Sequence, residues 1–253
     1  MPYVKHLYYE ETGQGRPVIF VHCPALSHIY WRPVMERLKT FCRAIAIDIR
    51  GHGKSGRGET PWTFTDIGRD VALLTRELGL QRPVLVGYSA GSSISMQAAL
   101  DEPGLFGGLV LVGAFSQCNS LLLLAKARVG LSLVRLGLVP FIGASVVGTN
   151  SVDKEHTRQM LPDARQCNPV ALASFLQGVL RFDCTKRLPS LRLPVLLVYG
   201  TNDEPMHGYY HILQRGLPEA RAVFVPDSDH RVPTRKPAEF ADLVAEFLAG
   251  HPE

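Results

Sequence analysis

The sequence predicts an α/β fold in which a mostly parallel sheet is covered by helices on both faces. Three observations carry that expectation: short apolar runs bounded by turn residues recur along the 253-residue chain, helical patterns separate them, and one run feeds directly into a Gly-x-Ser-x-Gly turn.

In chain order, Leu7 to Glu11 with the following Gly13 and Gly15 reads as an antiparallel edge strand and turn. Val18 to Val21 and Ala44 to Ile47 read as buried strands. Ile67, Val71, Leu74 and Leu78 recur at helical spacing before the next strand run, Val84 to Val86. Gly87-Tyr88-Ser89-Ala90-Gly91 links that run to a second helical segment, and Leu109 to Val112 follows as another strand. Alternation then fails from about Ser116 to Leu188, where leucine-rich helical patterns take over. The expected organisation is a core of residues 1–115 and 188–253 carrying a helical cap insertion, residues 116–187. An insertion between two strands of the sheet falls over their C-terminal edge, where open α/β folds bind ligands. Val195 to Val198 and Ala222 to Val225 supply further strands, and Phe240, Leu243, Val244 and Phe247 mark a closing helix.

Composition narrows the functional classes. The chain is 46% hydrophobic and 20% charged, with a net charge of +4 spread along its length, so no nucleic-acid partner is expected. Leu121 to Val147 is rich in leucine and valine, but Lys126, Arg128, Arg135 and Pro140 interrupt it. On a helix Arg128 and Arg135 share a side while Lys126 points away, so no membrane partner is expected either. Five scattered cysteines suit neither a disulfide framework nor a metal site and point to a reducing compartment. Met1 to Gln14 has no apolar signal-peptide core, so a cytoplasmic location is expected.

The residues for chemistry stand at three strand ends. Ser89, in a strand-to-helix turn, is the candidate nucleophile, but a serine hydroxyl needs a base to take its proton and a carboxylate to orient that base. Asp203 follows Val195 to Tyr199 and the turn Gly200-Thr201-Asn202; His230 follows Arg221 to Val225 and a polar loop. Asp227 and Asp229 flank His230, but neighbours in sequence rarely orient a ring, so Asp203 is the preferred partner.

With these motifs in place the chain resembles the α/β-hydrolase superfamily nearly end to end. His22-Cys23-Pro24 resembles its oxyanion loop, Asp48-Ile49-Arg50-Gly51-His52-Gly53-Lys54-Ser55 its D-x-R-G-x-G-x-S loop, and Gly87 to Gly91 its nucleophile elbow. Gly200 to Asp203 resembles the acid turn, and His230 with Pro237, Phe240 and Phe247 the histidine loop and final helix. The resemblance implies an α/β-hydrolase fold with an eight-stranded, mostly parallel sheet and a helical cap. It further implies a serine hydrolase of the carboxylesterase type acting on a small molecule, and no cofactor. Asp48, His52 and Ser55 are structural in that family and receive no catalytic role.

The departure is in the oxyanion loop. One donor is expected to be the Ala90 N–H, directly after the nucleophile; the second comes in the family from the position that Pro24 occupies, and proline has no N–H. Three solutions stay open: the N–H of Cys23 or Ala25 turns inward, with Ala25 preferred; a water or side chain substitutes; or one donor suffices. Cys23 is read as a small pocket-lining residue, because His22 points away along an extended chain. The apolar insertion suggests an ester, lactone or thioester of a mostly apolar substrate. Tyr88, beside the nucleophile, and Arg128 and Arg135, if turned inward toward a substrate carboxylate, are the candidate substrate-binding residues. The alternatives are carbon–carbon hydrolysis or a lyase reaction on the same three residues, or a non-catalytic ligand-binding protein.

Overall fold

In the computed structural model, which describes residues 2–58, 61–217 and 219–251, eight strands form one sheet. They are β1 (Tyr3–Val4), β2 (Leu7–Thr12), β3 (Pro17–Val21), β4 (Arg43–Ile47), β5 (Val84–Tyr88), β6 (Gly108–Val112), β7 (Val195–Gly200) and β8 (Arg221–Val225). The order is β1-β2-β4-β3-β5-β6-β7-β8; the β1/β2 and β2/β4 pairs are antiparallel and the rest parallel. The expected edge strand, β2, therefore lies one place inside, and the two-residue β1 forms the edge.

Register explains why the central strands are apolar on both sides. Val18 pairs with Val84 and Phe20 with Val86, and these residues share one face with Val110 and Val112. Ile19, Leu85, Leu109 and Leu111 occupy the other face. Helices α1 (Arg32–Leu38) and α10 (Pro237–Gly250) pack together over the first face through Val34, Met35, Phe240 and Val244. Helices α2 (Phe64–Glu77) and α3 (Ala90–Asp101) cover the second through Ile67, Val71, Leu74 and Ile94. Thr63 and Asp66 start α2 with a reciprocal capping box, worth about 1 kcal/mol.

Between β6 and β7 lie four α-helices, α4 (Leu121–Arg135), α5 (Val139–Asn150), α6 (Lys154–Arg165) and α7 (Pro169–Arg181), and a 3-10 helix over Thr185–Ser190. The two ends of this segment meet, since Gln117 and Asp183 form a bridge and the Cys184 N–H donates to the Ser116 carbonyl at 2.8 Å. Helix α4 lies against α7 and α5 against α6. The segment is pinned to the core by Phe175 of α7, whose ring meets those of His52, Trp62 and Phe64 at 5.6 Å. Among the described residues no helix is long and apolar enough to cross a membrane. The remaining helices are α8 (Glu204–Gly216) and α9 (Val232–Arg235).

Candidate active site

Ser89 sits between the last residue of β5 and the first of α3, with φ 54° and ψ −121°. A non-glycine residue at positive φ costs on the order of 1–3 kcal/mol and persists only where the surroundings impose it. Here they do: the Ser89 N–H donates to the Val112 carbonyl at 2.8 Å, and the Ser89 carbonyl accepts from the Ser92 N–H at 2.9 Å. The turn also needs α3 close against β3. A Cβ on Gly91 would stand 2.3 Å from the Val21 carbonyl oxygen, so only glycine permits that approach.

The structure brings Ser89, His230 and Asp203 together. His230 Nε2 is 2.9 Å from Ser89 Oγ, and His230 Nδ1 is 2.8 Å from Asp203 Oδ2. An ionised carboxylate only accepts hydrogen bonds, so Nδ1 carries the proton and Nε2 is left to accept from the serine hydroxyl. The Asp203 side chain is 6% exposed and the imidazole 29%, so the carboxylate is shielded while the ring stays partly open to solvent. The acid turn is held by the histidine loop: Thr201 and Asn202 donate to the carbonyls of Val225 and Ser228 at 3.0 and 2.9 Å. The imidazole lies over Gly113, which has φ +54°; a Cβ there would stand 2.4 Å from His230 Cε1. Asp229 is engaged elsewhere, pairing with Arg231.

Beside the nucleophile, Ala90 is the first residue of α3, where a backbone N–H has no acceptor one helical turn back. In the loop after β3, Ala25 is fully buried at φ +59°, a left-handed conformation that re-aims the chain after Pro24. The Cys23 carbonyl accepts from His22 Nδ1 at 2.8 Å and from the Leu26 N–H at 3.3 Å. His22 Nε2 accepts from the Ile49 N–H at 3.0 Å, so both ring nitrogens are committed to holding the loop. Burial pushes the Cys23 thiol up to about 12, leaving it protonated at neutral pH.

The Asp48 loop is a scaffold. Asp48 is fully buried and accepts from the His28 N–H at 2.6 Å, the Lys54 N–H at 2.8 Å and the His28 ring. Burial alone would raise its pKa, but the His28 hydrogen bond and nearby positive charge outweigh that and leave it lowered.

The expected substrate-binding residues are not brought together. Tyr88 is buried: its ring stacks on Tyr30 at 5.1 Å and flanks the His230 imidazole at 5.4 Å, and its hydroxyl donates to Asn150 Oδ1 at 3.0 Å. Arg128 and Arg135 are exposed on α4, away from the face that buries Ala127, Leu131 and Val134, and neither guanidinium has a hydrogen bond or ion pair among the described residues. Three residues that sequence reasoning passed over do reach the site. Tyr30 backs Tyr88, Asn150 holds its hydroxyl, and Arg231 Nη1 donates to the Thr149 carbonyl at 3.0 Å. Adjacency to His230 was the available signal for Arg231; nothing in the local sequence singles out Asn150.

A parallel sheet with a strained serine elbow, an acid turn and a histidine loop at its C-terminal edge defines an α/β hydrolase. The chain belongs to the alpha/beta hydrolase family, which it matches over residues 18–243. It is 26% identical to the putative carbamate hydrolase RutD of Azorhizobium caulinodans over 98% of both chains. It is 27% identical to the 2-(acetamidomethylene)succinate hydrolase of Mesorhizobium japonicum, over 94% of this chain and 90% of that protein. Among solved structures, a thermophilic esterase from Thermogutta terrifontis superposes with a TM-score of 0.83 at 25% identity, over 97% of this chain and 94% of that one.

Proposed function

We propose that this hydrolase cleaves a carboxylic ester, lactone or thioester of a small, mostly apolar substrate through an acyl-enzyme on Ser89. The observation that carries the reading is the unbroken hydrogen-bond chain from Ser89 Oγ through His230 to Asp203 at 2.9 and 2.8 Å. Ser89 Oγ attacks the carbonyl carbon while His230 Nε2 takes its proton, and Asp203 stabilises the resulting imidazolium. The tetrahedral intermediate places its charge against the Ala90 N–H. Ala25 N–H is the proposed second donor, because its left-handed backbone breaks the extended course of the loop; the Cys23 N–H is the alternative. Each such donor is worth about 2.7–4 kcal/mol. The imidazolium then protonates the leaving alcohol or thiol. Water, deprotonated by the same imidazole, attacks the acyl carbonyl and releases acid and free Ser89.

The named activities of the similar proteins span an esterase, a carbamate hydrolase and a 2-(acetamidomethylene)succinate hydrolase. An ester is preferred because the inserted helices contribute apolar surface and the exposed Arg128 and Arg135 offer no anion clamp at the relay. The absence of an N–H at Pro24 is the one observation favouring carbon–carbon hydrolysis or a lyase reaction on the same residues. We place the activity in the reducing cytoplasm, on the strength of five free thiols, with no cofactor.

Stoichiometric labelling by a fluorophosphonate, lost in Ser89→Ala, tests the nucleophile; absence of labelling in folded protein points to a ligand-binding member instead. Nitrophenyl esters of graded chain length, then lactones and thioesters, test the bond. Turnover of none of these by a protein that still labels would reject the ester reading.

A further inference from the structure

The outer face of the inserted helices has a composition unlike the rest of the surface. Seven of the ten large apolar side chains exposed among the described residues lie between positions 121 and 170. The most exposed are Leu121 at 85%, Leu136 at 72%, Phe141 at 64% and Val129 at 58%. These four lie on one helix, α4, and at its turn into α5. Helix α4 buries Ala127, Leu131 and Val134, and at about 100° per residue the opposite stripe carries Leu121, Leu122, Ala125 and Val129, with Ser132 as its one polar residue. Leu136, at the end of that helix, and Phe141, in the first turn of α5, extend it past the turn.

Charge frames this stripe. On the same helical projection Arg128 and Arg135 lie along one border and Lys126 along the other, all three exposed. No aspartate or glutamate occurs between Leu121 and Val152. Long cationic side chains on both borders of an apolar stripe let the stripe enter hydrocarbon while the charged heads stay at the level of lipid phosphates. The same arrangement opposes a second copy. Two such faces brought together would oppose six cations with no acidic partner, whereas an anionic lipid surface supplies one to each.

We propose that the outer face of α4 and the α4–α5 turn is a peripheral docking surface for anionic lipid bilayers. The helices lie in the interface and none spans it. The inference departs from the sequence expectation of no membrane contact. On the sequence alone the separation of Lys126 from the two arginines argues against an anchor; in the structure exposed apolar side chains occupy the space between them. The inference rests on this surface alone and is independent of the chemistry assigned to Ser89.

Co-sedimentation of the full chain with vesicles tests it. Vesicles of equimolar phosphatidylcholine and phosphatidylglycerol are expected to bind at least tenfold more protein than vesicles of phosphatidylcholine alone, with the difference shrinking at high salt. Two variants separate the contributions. Lys126→Glu with Arg128→Glu and Arg135→Glu is expected to weaken binding by at least about a hundredfold, since each substitution removes a surface cation and adds an anion. Leu136→Glu with Phe141→Glu is expected to abolish binding at any salt. Circular dichroism melting checks that both fold, and fluorophosphonate labelling of the second reads the Ser89 chemistry separately. Sedimentation equal for both vesicle types, no sedimentation, or binding that both folded variants retain would overturn the proposal. So would a dimer in analytical ultracentrifugation that Leu136→Glu with Phe141→Glu dissociates in a protein that ignores vesicles.

Discussion

Gly113→Ala would test whether the hydrogen-bond chain sets reactivity, because the three atoms nearest the new side chain all belong to the His230 ring. The new Cβ would stand 2.4 Å from His230 Cε1 and 2.6 Å from Nδ1. Carbon atoms pack at about 3.5–4.0 Å, so the ring must retreat by about 1 Å. Its two hydrogen bonds, 2.9 Å to Ser89 and 2.8 Å to Asp203, tolerate less than that before they cease to be bonds near 3.5 Å. Displacement of about 1 Å in a reacting group costs on the order of a hundredfold in rate, equivalent to about 2.7 kcal/mol in the barrier. Alanine at φ +54° adds a stability cost of about 1–2 kcal/mol, small enough to leave the protein folded at room temperature. The assay is the second-order rate constant for fluorophosphonate labelling of Ser89, measured beside a thermal melt. A folded Gly113→Ala protein that labels within threefold of the unmodified rate would refute the reasoning.

Two further outcomes follow from buried groups. His52 is buried, which pulls its pKa down to about 3, so the unfolded chain binds a proton there below about pH 6.5 while the folded chain does not. Stability therefore falls as pH drops from about 6.5 toward 3, with His52 contributing a slope of about 1.4 kcal/mol per pH unit well below 6.5. In His52→Phe, urea midpoints measured from pH 6.5 to 5 should show a visibly flatter decline; an unchanged slope would remove His52 as the cause. Tyr88→Phe deletes the 3.0 Å donor to Asn150 inside the protein. A cost of about 1–3 kcal/mol is expected, read as a fall of several degrees in melting temperature, and an unshifted melt would show that this bond contributes nothing.

The sheet was legible because β3 to β7 are buried on both faces, which forces uninterrupted apolar runs such as Val18 to Val21 and Leu109 to Val112. Ser89, Asp203 and His230 were legible because each must stand at a strand end, where turn residues announce the boundary. What stayed hidden depends on neighbours distant in sequence. That Arg128 and Arg135 share a side of α4 follows from spacing, but which side α7 covers does not, and the structure exposes both. Tyr88 sits next to the nucleophile, yet its hydroxyl is satisfied by Asn150, 62 positions away, a partnership with no local signature. Likewise β2 offered the pattern of an edge strand, since nothing in the two residues of β1 advertises that they pair beyond it.

The C-terminus of α5 is fastened at two successive residues: Thr149 to Arg231, next to His230, and Asn150 to Tyr88, next to Ser89. Any displacement of that helix end is therefore felt on both flanks of the 2.9 Å contact between Ser89 and His230.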